Sequence, residues 1–193
     1  TFLKNWGEVC GEWSKRYGEL VSGWWFDGYK MEMKDAYEDL KKEEHNIDTW
    51  IAAVRSGNPD AELAFNAGAH PILSLCTNGR LCPHQTFTSG ENHGFHQRTK
   101  KGQGKLLTPL NFPAPEGVVW HLLLPVSDGW GAGEKPRFDL ATLRDRVDHI
   151  NAEGGAVTLD VPIAGDGKIP AAVLSALVEL GKDIEKLTDG VRA

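Results

Sequence analysis

The stretch Gly23-Trp24-Trp25-Phe26-Asp27-Gly28 is a short bulky run that stops abruptly at a carboxylate followed by glycine. An apolar segment ending in this way reads as a buried strand whose last residue leaves the core and faces a cleft. Alternate strand residues share a face, so Gly23, Trp25 and Asp27 are expected on one side and Trp24 and Phe26 on the other, toward covering helices. An aromatic ring beside a carboxylate suits a sugar, which offers apolar C–H faces and a hydroxyl rim. The alternative is that Asp27 only begins a turn with Gly28.

Upstream, Phe2, Trp6, Val9, Cys10, Trp13, Tyr17 and Leu20 recur at helical spacing and predict an amphipathic helix packed on a core. Downstream, Lys30 to Asn46 reads as a charged, irregular helical loop, Thr49 to Arg55 as a helix and Ala61 to Asn66 as a strand. Residues 69–116 are turn-rich with short strand-like pieces such as Gln85 to Thr88, a long connection of the kind that carries function. Gly117 to Pro125 reads as a buried strand, Leu140 to Asn151 as a helix capped by Asp139, Ala156 to Ile163 as a strand, and the segment after Pro170 as a last helix. Strands alternating with helices indicate an α/β fold built from βα units on a parallel sheet, whose chemistry sits where strands lead into helices. Asp27, Asn66 and Asp160 occupy such ends. About four strands are visible, half of what an eight-stranded barrel needs.

The composition bounds the function. In 193 residues, 40% are hydrophobic and 25% charged, which is ordinary for a globular protein, and the formal charge of -6 argues against a nucleic-acid partner. The basic cluster Arg98-Thr99-Lys100-Lys101 with Lys105 lies among glycines and reads as a solvated loop. No apolar run approaches the roughly 18 residues of a membrane span, and no membrane partner is expected. Thr1 opens directly in a helical pattern, which suggests an excerpt of a longer protein. The compartment stays open, an extracytoplasmic one included. Cys76 and Cys82 flank a turn-like spacer that permits a small disulfide, and Cys10 falls on the first helix.

A second carboxylate, Glu91, follows the strand-like piece Thr86 to Ser89 and Gly90. Glycoside hydrolysis needs two carboxyl groups, one to attack or activate water and one to protonate the leaving oxygen, and Asp27 with Glu91 could supply them. Glu91 by itself reads more readily as a loop residue. A competing set, Cys76, Cys82, His84, His93 and His96, contains zinc-ligand types without a tight ligand pair. The other reading makes the histidines loop residues near a sugar cleft. His121 lies within a strand and is expected to be hydrogen-bonded there. Trp130, between glycines, is a lid aromatic or a packing residue.

The order of motifs resembles glycoside hydrolase family 29, the α-L-fucosidases. The resemblance runs through Trp13-Ser14-Lys15-Arg16-Tyr17-Gly18 and Gly23 to Gly28, then Asp128-Gly129-Trp130-Gly131. It continues through Ile150-Asn151-Ala152-Glu153-Gly154-Gly155 to Pro162, and Asp166-Gly167-Lys168-Ile169-Pro170. It implies a (β/α)8 TIM-type barrel, of which this chain, residues 1–193, holds the later half as one partial catalytic domain, with the N-terminal half in the parent protein. It implies a retaining double displacement on a terminal α-linked fucose, with no cofactor and no metal. Asp27 falls at the nucleophile position, Glu91 at a Gly-Glu carrying the candidate acid/base, and Trp25, Asn66, His93, Trp130 and Asp160 at sugar-facing positions. Asp160 stands where many relatives carry Asn. The alternatives are a sugar-binding relative without catalysis and a zinc-dependent protein using Cys82, His84, His93 and His96.

Overall fold

The computed structural model describes residues 2–29 and 41–189, with side chains to residue 182. The chain divides into two compact units, one formed by residues 1–89 and 114–119 and the other by residues 90–113 and 120–193.

The first unit opens with helix α1, Phe2–Tyr17, extended by a 3-10 turn at Gly18–Leu20, and leads into strand β1, Gly23–Phe26. Helix α2, Ile47–Val54, starts at Asn46, whose Oδ1 accepts from the Thr49 amide at 3.0 Å while Thr49 Oγ1 accepts from the Asn46 amide at 2.9 Å. This reciprocal cap satisfies two donors that the first helical turn leaves open. Strand β2, Glu62–Phe65, pairs with β1 in parallel, Trp25 opposite Ala64 and Phe26 opposite Phe65. The short helix α3, Pro71–Ser74, follows. The irregular segment expected over Lys30 to Asn46 falls for residues 30–40 outside the described residues.

The faces of β1 divide as its alternation predicts. Phe26 is buried among Trp50 at 4.6 Å, Trp6 at 5.7 Å and Phe65 at 5.7 Å, and Trp24 stacks along Phe26 at 6.0 Å. These rings join α1 and α2 to the sheet and form the unit's aromatic core. Helix α1, however, is rotated from the expected orientation. Its buried positions are Gly7, Cys10, Gly11 and Ser14, while Phe2, Val9, Trp13, Tyr17 and Leu20 are more than half exposed. Small residues let the two backbones approach. A Cβ on Gly11 would meet Ala53 at 3.4 Å, and one on Gly57, just past α2, would stand 1.9 Å from the Ser14 carbonyl oxygen. Ser14 Oγ accepts from the Gly57 amide at 2.9 Å in that crossing. Close backbone contact therefore decides the face of α1, against its apolar stripe.

The second unit contains strands β3, His96–Thr99, and β4, Gly102–Leu106, as an antiparallel hairpin, where a solvated loop was expected. Strand β5, His121–Pro125, pairs in parallel with β6, Ala156–Asp160, and between them runs helix α4, Leu140–Ala152. Asp139 caps α4, accepting from the Thr142 amide at 2.8 Å, and Leu143, Val147 and Ile150 are its buried face. Helix α5, Ala171–Asp189, ends the described chain and buries Val173 and Leu180. The piece from Gln85 to Thr88 forms no full strand. Phe87 makes one parallel bridge to Val119, and Glu91 one to Leu123. No helix among the described residues is long and apolar enough to cross a membrane.

Candidate active site

Asp27 stands one residue beyond β1, at the end of a parallel strand. Its Oδ1 accepts from the Gly28 amide at 2.8 Å and from the Asn66 side-chain amide at 2.9 Å. Asn66, one residue beyond β2 and only 1% exposed, is held by backbone bonds on both sides: its amide donates to the Phe26 carbonyl and its carbonyl accepts from the Tyr29 amide, each at 2.8 Å. The carboxylate thus has a fixed neighbour built from the same parallel pairing that forms the sheet.

A third residue sets which way the Asn66 amide faces. Ser89 Oγ donates to Asn66 Oδ1 at 3.1 Å, so the NH2 group is the one turned to Asp27. Ser89 is fully buried, its carbonyl accepts from Trp25 Nε1 at 2.9 Å, and its hydroxyl also approaches the Ser74 carbonyl at 3.3 Å. Trp25, Asp27, Asn66 and Ser89 form one connected network in the first unit. The sequence places Asn66 at the sugar; in the structure its side chain is buried and its amide donates to Asp27. Ser89 was missed, its signal being only a small polar residue closing a strand-like piece before Gly90. Asp27 is exposed, and its second carboxylate oxygen has no partner among the described residues.

The remaining candidates lie in the second unit. Glu91 is half-buried, its backbone bridged to Leu123 and flanked by two bonds, Leu123 amide to Gly90 carbonyl at 3.0 Å and Asn92 amide to Leu123 carbonyl at 2.8 Å. Gly90 takes φ +69° there, and a Cβ on it would sit 2.2 Å from the His121 carbonyl oxygen. The position requires glycine on both counts. His93 and Trp130 meet edge to face with ring centroids 6.1 Å apart, both solvent-accessible, and Arg137 donates to the His93 carbonyl. Asp160, closing β6, accepts from the Gly131 amide at 2.7 Å and so anchors the glycine loop that displays Trp130. His121 shares a 2.8 Å hydrogen bond with Thr158 Oγ1, the structural role expected of it. Loops following β5 and β6 line a cavity of about 220 Å³ with Gly131, Gly133, Pro162 and Pro170. A larger one, about 540 Å³, lies between α1 and α2 and is walled by helix-face residues such as Gly7, Gly11 and Ala53; it contains none of the candidate residues.

The zinc alternative gains no support. Among the described residues no group of three or more His, Cys, Asp or Glu side chains is placed to hold a metal. His84 Nε2 is 2.6 Å from Asp48 Oδ1, and the Cys82 thiol is buried and pushed up to about 11 by desolvation. Cys76 and Cys82 are free thiols, so the small disulfide that their spacing permits is not formed; both are buried as core residues.

Solved structures share this architecture. Endo-fucoidan hydrolase P5AFcnA from glycoside hydrolase family 107 superposes with a TM-score of 0.64 at 16% identity, over 93% of this chain and 55% of that one. Endo-fucoidan hydrolases MfFcnA4 and MfFcnA9 of the same family give 0.58 and 0.56 at 18% and 17% identity, over 89% and 90% of this chain and 28% and 34% of theirs. The chain has a fold found in family 107 glycoside hydrolases. It spans little more than half, or about a third, of their lengths. No protein-family profile matches the sequence. A curated relative, peroxisomal Lon protease homolog 2 of Caenorhabditis elegans, is 34% identical over 89 residues, 46% of this chain and 10% of that protein. Such a short overlap assigns no family. The structural likenesses are to family 107 enzymes and lend no support to family 29 specifically.

Proposed function

We propose that the chain carries the later βα units of a (β/α)8-type barrel and belongs to a glycosidase that cleaves fucose-containing glycans with retention of configuration. The observation that supports it is Asp27, exposed at the end of a parallel strand and oriented through the Asn66 amide, in a fold found in glycoside hydrolases.

In the proposed reaction the Asp27 carboxylate attacks the anomeric carbon while the glycosidic oxygen leaves with a proton from Glu91. The resulting glycosyl ester is then opened by water, whose proton passes to Glu91 as its oxygen bonds the anomeric carbon and frees Asp27. Asn66 is suited to this role because a neutral amide holds the carboxylate in one rotamer without consuming its charge. Trp25, His93 and Trp130 would meet the sugar, and Asp160 would act through the loop it anchors. The sequence motifs favour release of a terminal α-L-fucose. The endo-hydrolase names of the structural relatives favour cleavage within a chain, and product size separates the two.

The test is covalent trapping. A 2-deoxy-2-fluoro fucosyl donor with an activated leaving group should add one sugar mass to Asp27 in the native chain and none in Asp27→Asn, which should also lose about 10⁴-fold or more in turnover. Label on another residue, or turnover undiminished in that variant, removes Asp27 as the nucleophile. Tight fucose binding with no label and no turnover favours a sugar-binding relative without catalysis.

A further inference from the structure

Ser89 belongs to neither strand of the β1–β2 pair, yet it bonds to Trp25 on β1 and to Asn66 just beyond β2. Its carbonyl accepts from the Trp25 indole N–H at 2.9 Å, and its hydroxyl donates to Asn66 Oδ1 at 3.1 Å. The same hydroxyl lies 3.3 Å from the carbonyl of Ser74, which like Ser89 is fully buried, so its proton is held among acceptors inside the core. Asn66 Oδ1 accepts in addition from the Gly68 amide at 3.2 Å. A backbone amide can only donate, so this bond supports the same sense of the Asn66 side chain, NH2 toward Asp27.

Trp25 and Asp27 stand two residues apart and so share a face of the extended chain. Their side-chain torsions are nevertheless independent, and an exposed Asp side chain has several staggered rotamers open to it. The Gly28 amide belongs to the next residue and moves with Asp27. Among the described residues, the Asn66 amide is the donor to Asp27 that comes from outside its own segment. The last two links donate in one direction, from the Ser89 hydroxyl to the amide oxygen and from the amide to the carboxylate, so each polarises the next. Ser89 thus meets the ring through one atom and the carboxylate's holder through another.

We propose that Ser89 is a positioning residue that ties the Trp25 ring to the Asp27 carboxylate, its carbonyl holding the ring and its hydroxyl holding the carboxylate through Asn66. The proposal rests on the glycosidase reading above, in which Trp25 carries the sugar and Asp27 attacks it. It adds the device that keeps the two in register. Displacement on carbon needs the attacking oxygen close to the anomeric carbon and aligned with the leaving bond. A sugar seated on Trp25 meets that condition only while the carboxylate keeps one orientation relative to the ring. Ser89 touches neither the sugar nor the reacting atoms, and its effect falls on the chemical step and not on binding.

The test uses the full 193-residue chain, isotopically labelled, and the variants S89A, W25F and N66A/S89A beside N66A, each checked by thermal unfolding. W25F keeps an aromatic ring and loses the N–H. S56A, which removes a hydroxyl bonded to the Gly11 carbonyl, is the control. Three-bond NMR couplings of Asp27 report its rotamers without any substrate. The parent and S56A should show one rotamer, and S89A and W25F should average it over two or more. N66A/S89A should match N66A, because the hydroxyl reaches Asp27 only through Asn66; should N66A not fold, S89A and W25F decide. With the fluoro-sugar donor, the maximal labelling rate should fall about tenfold or more in S89A and W25F, and the half-saturating concentration should move by less than about threefold. Asp27 couplings unchanged in S89A, an S89A effect that persists without Asn66, or a rise in half-saturation at an unaltered rate overturns the proposal. A parent chain that takes no label on Asp27 counts against the glycosidase reading, while the couplings still decide whether Ser89 orders the carboxylate.

Discussion

Asp27 and Cys82 show how differently two reactive groups are treated by their surroundings. Asp27 is exposed and receives two N–H donors on one oxygen, which hold its carboxyl group on one rotamer. Cys82 is fully buried, and desolvation pushes its thiol from the usual 9.0 up to about 11. Because the thiolate is the reactive form, native Cys82 should alkylate about a hundredfold more slowly than an unperturbed thiol below pH 9, before burial further limits access. Iodoacetamide labelling followed by peptide mass mapping checks this. Full labelling in denaturant with rapid labelling in the native chain would show that the site opens. The network behind Asp27 was half legible: alternation and the strand-end carboxamide pointed to Asp27 and Asn66. Ser89, sixty-odd positions beyond Trp25 by the 64-residue separation of their bond, carries no local pattern that links it to them.

At the scale of elements, glycine and capping chemistry account for much of the local geometry. Gly90 combines a left-handed backbone with a Cβ position 2.2 Å from the His121 carbonyl oxygen. Gly90→Ala should therefore cost about 2–4 kcal/mol, summing left-handed strain and overpacking, measured by urea unfolding. A loss near zero would mean that the segment before Glu91 can shift freely. Asp139 caps α4, and bonds from the Thr142 amide and hydroxyl hold its carboxyl below the usual carboxylate range. A depressed folded pKa contributes stability that is present above the unfolded pKa and lost as pH falls through the folded value. Asp139→Ala should lower the melting temperature at neutral pH, and its gap to the parent should narrow through the acidic range below the ordinary Asp pKa. A gap independent of pH would assign the cap to something other than charge. Helices were readable because caps and periodicity are local. The β3–β4 hairpin was not, because its Gly, Lys, Gln and Thr residues lack the alternating apolar pattern that marks a strand.

On the whole molecule, the exposed α1 stripe is the largest departure from expectation. Trp13 is 54% and Tyr17 51% exposed, with Phe2, Val9 and Leu20 more so or similar, and a contiguous apolar surface of this kind attracts apolar ligands. The native chain should enhance the fluorescence of an environment-sensitive apolar dye, and Trp13→Ser with Tyr17→Ser should remove most of that signal without lowering helicity by circular dichroism. Undiminished fluorescence would place the dye elsewhere. Strands β1 and β6 likewise have a ladder on one side only among the described residues. Periodicity reports how far a helix face is apolar, and it correctly located this stripe. It does not report which face wins when another element can approach more closely through glycine and serine.

The amino-acid sequence alone determined the alternation of strands and helices, the parity that sends Phe26 inward and Trp25 with Asp27 the other way, the Asp139 cap, and a carboxylate at a strand end. Each depends on neighbours a few residues apart, whose side-chain directions follow from backbone geometry. Only the tertiary structure decided that α1 packs through Gly7, Gly11 and Ser14, that Ser89 turns the Asn66 amide toward Asp27, that Cys76 and Cys82 stay unlinked in the core, and that the basic run becomes a hairpin. Those outcomes depend on how closely distant backbones approach and which donors remain to be satisfied, quantities that exist only once the chain has closed on itself.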